Sequence, residues 1–334
     1  MNSSKASFRA PLFVLIIYGL ILLSRTIESK IASNGNIYLS LIILQILVFI
    51  IPSILFCRLR GVGYSVKLNI KPFSPGKLGC VVLAAIALIS GSVVLRLFQI
   101  SVFDSNTFLF SMYSKYLPAN PSEYFLFCTM SFAVMPAIAE EFVFRSIVLS
   151  EYNNSGIGAV AASAVSSLLS SMIFFDLEQL PVFLLCGIVC SVVTYVTGSS
   201  LTAILTHMLF NIYGIFGEPR LIRAMINPSN RVITVFTAVL LFLILTVIFL
   251  GECEHIMYRA GINGVQTPSY RLKKTDDGTT PDIASTDAED DDNDNKKRNG
   301  LILSGKFKSR MEVFFSPTFL MCILVFAVAV FGFN

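Results

Sequence analysis

Long apolar stretches separated by short polar segments dominate the pattern of this chain. A helix needs about 20 predominantly apolar residues to cross the hydrocarbon core of a bilayer, with a range of roughly 17–25. Candidate stretches lie at 10–27, 37–57, 78–103, 124–150, 156–175, 180–197, 200–216, 232–250 and 313–333. Nothing in them alternates with the period of two that a transmembrane barrel strand requires. The pattern therefore predicts an all-α fold, a polytopic transmembrane helix bundle with about eight to nine spans.

The composition agrees with a membrane-embedded protein. Hydrophobic residues make up 54% of the chain and charged residues 14%, with a mean hydropathy of +0.74. Soluble domains carry about 25% charged residues. The net charge of +4 is too small to indicate a nucleic-acid partner. We expect an integral membrane protein that contacts membrane lipids, and the sequence gives no indication of the oligomeric state.

Basic residues predict the orientation in the membrane. Positively charged loops stay preferentially on the cytoplasmic side. We therefore expect the N-terminus, with Lys5 and Arg9, to be cytoplasmic together with the loop after the second stretch. That loop carries Arg58, Arg60, Lys67, Lys71 and Lys77. The basic loop 218–231 would then lie outside, which argues weakly against this orientation.

Residues 251–312 interrupt the apolar pattern. The part at 276–294 is acidic and rich in Thr, Asn and Gly, with basic residues on both sides. Such a segment buries too little apolar surface to offset its ordering entropy, so we expect a disordered cytoplasmic linker. The predicted organisation is N-terminal transmembrane helices at 1–119, a core at 120–217, an additional helix at 218–250, the acidic linker at 251–312 and a C-terminal helix at 313–334.

Three charged residues stand together inside one apolar stretch: Glu140, Glu141 and Arg145. Ionisable side chains within a bilayer are costly, so they are functional candidates by default. On a helix, Glu141 and Arg145 are four residues apart with the acid first, which favours an ion pair. Glu140 has no such partner. We predict that the Glu141–Arg145 pair orients the helix, and that Glu140 is an available carboxylate.

A second polar pair, His207 and Asn211, lies four residues apart on one face of a later apolar stretch. An imidazole and a carboxamide can donate to a developing oxyanion, or supply one metal ligand and its orienting partner. An unpaired carboxylate facing them would suit water activation. Singly, either cluster could be structural, as an interfacial group at a helix end or an interhelical hydrogen-bonded pair. The occurrence of both clusters in one chain is more specific evidence for a functional site than either cluster alone.

Together the clusters resemble the CPBP (Abi) family of membrane proteins, which includes CAAX prenyl endopeptidases and bacteriocin-processing or immunity proteins. The family pattern is Glu-Glu-x-x-x-Arg, Phe-x-x-x-His and His-x-x-x-Asn on separate helices. Residues 140–145 match the first motif and 207–211 the third, and the resemblance covers roughly 120–217. The middle motif differs from the family pattern. Phe174 occupies the position where its His is expected, and Ser170 occupies the position where its Phe is expected. Asp176 is the nearest polar substitute.

The resemblance implies an intramembrane endopeptidase, a hydrolase of metalloprotease type, in a bacterial cell membrane. Its substrate would be a membrane-associated protein or peptide. Glu140 would be the base that activates water, while His207 and Asn211 stabilise the tetrahedral intermediate. Zinc is the implied cofactor, with Glu140 and His207 as ligands. Catalytic zinc usually has three protein ligands, however, and the missing histidine removes one.

Two other hypotheses remain open. Because Phe174 replaces a histidine, the chain could be a non-catalytic relative that binds a peptide in the inherited cavity, for bacteriocin tolerance or regulation. The other is a transporter, since polar groups at mid-membrane also mark transport paths. Against a transporter, the two halves of the sequence show no inverted repeat and no paired broken helices.

Overall fold

The predicted all-α fold is confirmed by a computed structural model, which describes residues 3–31, 37–61, 68–103, 124–155, 157–225, 231–259 and 313–332. The regular secondary structure within these ranges is helical. The longer helices are α1 (Ser3–Ile31), α2 (Ile37–Arg60), α3 (Leu78–Phe103), α4 (125–154), α5 (Ala159–Ser171), α6 (Leu180–Thr197), α7 (Ser200–Ile212), α8 (Glu218–Met225), α9 (Arg231–Arg259) and α10 (Pro317–Gly332).

Six helical spans among the described residues are long and apolar enough to cross a membrane: Phe8–Ile27, Ile37–Arg60, Pro75–Ile100, Leu180–Thr197, Ser200–Arg223 and Val232–Arg259. Two further apolar helices, Ala159–Phe174 and Pro317–Gly332, are shorter. Helix α4, which carries both glutamates, is not among the six. The membrane character is confirmed, whereas the predicted count of eight to nine spans is not.

The predicted boundaries differ from the structure around residue 250. Helix α9 runs on to Arg259, past the predicted end at 250, so the start predicted for the acidic linker at 251 is too early. The predicted segment 218–250 also holds two helices, because α8 precedes α9. The rest of the predicted linker, 260–312, lies outside the described residues, and so does the loop segment 62–67 on which the predicted orientation partly depends.

Helix α4 departs from regular α geometry on both sides of the glutamates. Two π segments, Thr129–Val134 and Phe142–Val148, flank a short α segment, Met135–Glu141. Proline at position 136 removes a backbone N–H and crowds the preceding turn, and a wider turn accommodates this. Single π turns are frequent at functional sites. Both glutamates therefore stand at the end of one α segment, between two wider turns.

A short connection fixes α6 and α7 as antiparallel neighbours. Helix α6 ends at Gly198, whose φ of +70° lies in the left-handed region that favours glycine. The next residue, Ser199, caps α7 by accepting the backbone N–H of Leu201 at 3.3 Å. Across the hairpin, Cys190 Sγ lies 3.8 Å from the carbonyl oxygen of Ala203. This packing places the face of α7 that carries His207 against α6.

Close contact between α5 and α6 depends on a glycine. A Cβ atom added at Gly187 would lie 2.9 Å from both Cα and Cβ of Ser167, nearer than real Cβ atoms approach. Small residues at membrane helix interfaces allow this kind of close approach. Because Gly187 lies in the middle of α6, its side-chain-free surface sets the distance between the two helices.

We expect Gly187→Ala to lower the free energy of unfolding by about 1–3 kcal/mol, since the added methyl group overpacks the α5–α6 interface. Thermal unfolding in detergent, followed with a thiol-reactive dye, would measure this because the cysteines are buried in the folded protein. Gly79→Ala is the matched control, since a Cβ there meets nothing within 4 Å. Equal losses in the two variants would contradict the packing argument.

Candidate active site

All the polar residues predicted for the site are buried between α4 and α7. The relative exposure is 6% or less for each of Glu140, Glu141, Arg145, His207 and Asn211. In a membrane bundle, such side chains need partners within the protein. The contacts of each one therefore indicate what the site can do.

Glu141 bridges a cation and the imidazole. Its Oε2 lies 3.0 Å from Nε of Arg145, in an ion pair within α4. Its Oε1 lies 2.8 Å from Nδ1 of His207 on α7. The i, i+4 spacing indicated the first contact, whereas the second depends on how two distant helices face each other. Glu141 therefore orients His207 as well as its own helix.

The contact with Glu141 decides how the imidazole of His207 is used. A carboxylate only accepts hydrogen bonds, so Nδ1 of His207 must carry a hydrogen and donate it. The other ring nitrogen, Nε2, lies 4.0 Å from Oε2 of Glu140, beyond direct hydrogen-bond distance. Within the described ranges, the Glu140 carboxylate has no hydrogen-bond partner. Glu140 is therefore the available carboxylate of the pair, next to the free edge of the imidazole.

Charge balance limits the protonation of this cluster. Arg145 and Glu141 neutralise each other, which leaves the buried Glu140 and His207. An uncompensated charge in a low-dielectric interior costs several kcal/mol. Besides the hydrogen on Nδ1 of His207, the cluster needs one more proton to be neutral. That proton lies either on Nε2 of His207, which makes an imidazolium beside a Glu140 carboxylate, or on Glu140, which makes a carboxylic acid beside a neutral imidazole. Either way, a proton is present at the site and can move between two groups.

Arg145 connects α4 to two other helices. Its Nη2 donates to the carbonyl oxygen of Gly187 on α6 at 2.9 Å and lies 3.4 Å from Oγ of Ser170 on α5. Ser170 occupies the position where the middle motif should begin, and here it touches Arg145. The guanidinium is thus held by groups from two neighbouring helices in addition to Glu141. This fixes the position of Glu141 and, through it, that of His207.

The predicted oxyanion donor Asn211 is engaged with the backbone of α4. Its Nδ2 donates to the carbonyl oxygen of Ala133 at 3.4 Å. Ala133 lies in the π segment just before Pro136, where backbone pairing is irregular. This contact ties α7 to α4. An interhelical hydrogen bond of this kind is the structural alternative that the sequence left open, and a role at the oxyanion remains a prediction.

Phe174, which replaces the expected histidine, lies at the end of a 3₁₀ turn, Met172–Phe174, that follows α5. Its ring stacks on Phe183 of α6, with 3.6 Å between the ring centroids. Its carbonyl oxygen accepts a hydrogen bond of 2.7 Å from Nη2 of Arg25 on α1. Residue 174 therefore has an apolar side chain, and its backbone is held in place by Arg25.

Asp176, the nearest polar residue to the missing histidine, has a structural role. Its Oδ1 accepts the backbone N–H groups of Glu178 at 2.9 Å and Gln179 at 3.2 Å. This satisfies donors at the turn that leads into α6. The contacts of Asp176 therefore explain its presence without a catalytic role.

The donor set does not fit a catalytic zinc ion of the usual kind. Among the described residues, no group of three or more His, Cys, Asp or Glu side chains is placed to hold a metal ion. Glu140 and His207 supply two donors, where catalytic zinc usually takes three. The groups that remain for chemistry are the carboxylates, the imidazole and the carboxamide.

One residue at the site was missed in the sequence. Cys186 on α6 is 3% exposed and interacts electrostatically with both His207 and Glu140. The two-residue connection between α6 and α7 was the available signal, because it places the residues of the hairpin in antiparallel register. The sequence alone gave no reason to distinguish Cys186 from the other apolar-stretch cysteines.

The contacts predict effects of very different size for the same substitution at two neighbouring positions. Glu141→Gln should lower the free energy of unfolding by about 3–5 kcal/mol, because it leaves Arg145 as an uncompensated buried charge. Glu140→Gln should change it by about 1 kcal/mol or less, because no hydrogen bond within the described ranges is lost. Thermal unfolding of the two variants in detergent measures the difference. Equal destabilisation would show that both glutamates are structural.

Comparison with known proteins finds one family over the segment that contains these residues. Residues 122–213 match the family described as Rce1-like, type II CAAX prenyl endopeptidase. No curated protein and no solved structure matches the chain. The matched segment includes both glutamates, His207 and Asn211, and its apolar helices make this an integral membrane protein. The predicted resemblance is confirmed: over residues 122–213, this protein is similar to the Rce1-like family of membrane-embedded CAAX endopeptidases.

Proposed function

We propose that this protein is an intramembrane endopeptidase that hydrolyses a peptide bond of a membrane-associated protein or peptide, with a water molecule activated by Glu140. The observation that carries the proposal is the position of Glu140. Its carboxylate is buried, has no hydrogen-bond partner among the described residues, and faces Nε2 of His207 at 4.0 Å. A purely structural carboxylate in such a place would be expected to have a partner.

The distance between Glu140 and His207 suits a water molecule in contact with both. One water molecule can lie at a hydrogen-bond distance of about 2.8 Å from the Glu140 carboxylate and beside the Nε2 edge of His207, which leaves the Nε2 hydrogen for the substrate. As a carboxylate, Glu140 accepts a proton from this water while the water oxygen attacks the scissile carbonyl carbon. The proton then passes to the leaving nitrogen as the carbon–nitrogen bond breaks.

His207 would act in the same step as the donor to the oxyanion. In its imidazolium form, Nε2–H can donate to the negative charge that develops on the carbonyl oxygen. The Nδ1 contact with Glu141 holds the ring in this orientation, much as a buried carboxylate orients the histidine of a catalytic triad. The amide group of Asn211 has a second hydrogen beyond the one given to Ala133, and we propose it as a further donor.

The description of the matched family suggests the first substrate to test. It names type II CAAX prenyl endopeptidases, so a fluorogenic peptide with a prenylated CAAX end is the first choice. A lipid-modified peptide partitions into the bilayer, where a site buried between membrane helices can meet it. We propose this substrate class on the family match, with other membrane-associated peptides as the next set.

Glu140→Gln should reduce kcat for such a peptide by about 10²–10⁴, because a general base contributes a factor of that size. The purified protein in detergent or vesicles would be assayed by fluorescence, alongside Glu252→Gln as a control. Glu252 is a part-exposed carboxylate on α9, outside the proposed site. Turnover by Glu140→Gln at the native rate would remove Glu140 as the base.

A second function is favoured by one observation, the apolar side chain at position 174. If the missing histidine is essential, the protein binds a peptide without cleaving it. Phe174→His tests this directly, because the backbone there is held by Arg25 and the new side chain would replace a ring stacked on Phe183. An inert native protein together with a proteolytic Phe174→His variant would favour the peptide-binding function. Native turnover that Phe174→His leaves unchanged or lowers would favour the peptidase.

A further inference from the structure

Each of the two π segments of α4 is tied to a neighbouring helix by a side chain that donates to a backbone carbonyl oxygen. In the segment before the glutamates, Nδ2 of Asn211 on α7 lies 3.4 Å from the carbonyl oxygen of Ala133. In the segment after them, Phe142–Val148, Oγ of Ser166 on α5 donates to the carbonyl oxygen of Phe144 at 2.8 Å. This second segment is called the wide turn below, and its bond to a neighbouring helix is the shorter of the two.

The carbonyl oxygen of Phe144 accepts two hydrogen bonds. One comes from the backbone N–H of Leu149, five residues further along the chain, as π geometry requires. The other comes from the hydroxyl of Ser166, which is fully buried. A carbonyl oxygen has two lone pairs, so the two donors do not compete. Ser166 therefore holds the wide turn at one position relative to α5.

The same face of α5 also contacts the next residue of the wide turn, Arg145. Nη2 of Arg145 lies 3.4 Å from Oγ of Ser170, and residues 166 and 170 share a helix face because they are four apart. Nε of Arg145 lies 3.0 Å from Glu141, which in turn lies 2.8 Å from Nδ1 of His207. A displacement of the wide turn would therefore move the guanidinium and the carboxylate, and with them the imidazole.

We infer that Ser166 is a positioning residue of the candidate active site. Its hydroxyl holds the wide turn where Arg145 and Glu141 keep the ring of His207 in one orientation. The hydrogen bond of Ser166 goes to the backbone of α4, so Ser166 acts on the reaction only through these residues. An interhelical hydrogen bond that merely adds stability would leave the ring of His207 unchanged when it is removed. The effect on turnover rests on the proposed peptidase function, whereas the effect on the ring does not.

The orientation of the ring can be measured by NMR of full-length protein in detergent with ¹⁵N-labelled histidine, in the His255→Gln background. A short hydrogen bond moves the resonance of its hydrogen to a high chemical shift, so the Nδ1 hydrogen of His207 reports the contact with Glu141. We expect Ser166→Ala to move this resonance to a lower chemical shift, because the carboxylate is no longer held at its native position.

Ser171→Ala is the matched control. Ser171 is also fully buried on α5, but its hydroxyl donates within its own helix, to the carbonyl oxygen of Leu168 at 2.8 Å. The control should leave the resonance at its native position. An unchanged resonance in Ser166→Ala, or an equal shift in the two variants, would overturn the inference. If Ser166→Ala does not fold, Ser166→Cys decides by the same readout, because it nearly keeps the size of the side chain and replaces the hydroxyl by a weak S–H donor.

In the peptidase assay, Ser166→Ala should lower kcat by about tenfold and leave KM unchanged, since a misplaced catalytic group slows the chemical step without weakening substrate binding. Ser171→Ala should keep the native kcat. A rise in KM at the native kcat would contradict a positioning role. Native protein without any turnover would count against the proposed peptidase function alone, because the NMR comparison does not depend on turnover.

Discussion

The constraint on which the site depends is charge balance in a buried cluster. Arg145, Glu141, His207 and Glu140 lie together where solvent cannot compensate them. One ion pair is neutral by itself, so the remaining carboxylate and imidazole must share a proton between them. The same condition that makes the cluster tolerable inside a membrane protein therefore supplies both a base and an acid.

The helical framework serves to hold that cluster in one arrangement. Arg145 donates to the carbonyl oxygen of Gly187, and the same glycine lets α5 and α6 approach closely. The hairpin turn at 198–199 brings α7 back against α6. Two π segments in α4 surround the turn that carries the glutamates. Positioning through rigid helices is a requirement for catalysis, since small displacements of a base reduce rates strongly.

Much of the fold could be predicted, because a long apolar stretch indicates a helix that can lie in the membrane. The exact spans could not be predicted, since α9 continues through polar residues to Arg259 and two π segments interrupt the α geometry of α4. At the site, the Glu141–Arg145 pair follows from spacing within one helix. The contact of Glu141 with His207, the proximity of Cys186 and the bond from Asn211 to Ala133 depend on interhelical register, which spacing along one segment does not encode.

The central claim, that Nδ1 of His207 donates to Glu141 while Nε2 faces Glu140, can be measured by ¹⁵N NMR of the imidazole. The chain has only two histidines, so labelled protein and its His255→Gln variant would assign the signals of His207. The account predicts a protonated Nδ1 in the native protein. It also predicts a neutral ring with an unprotonated Nε2 in Glu140→Gln, where no carboxylate remains to balance an imidazolium. A native ring that carries its hydrogen on Nε2 alone would contradict the account.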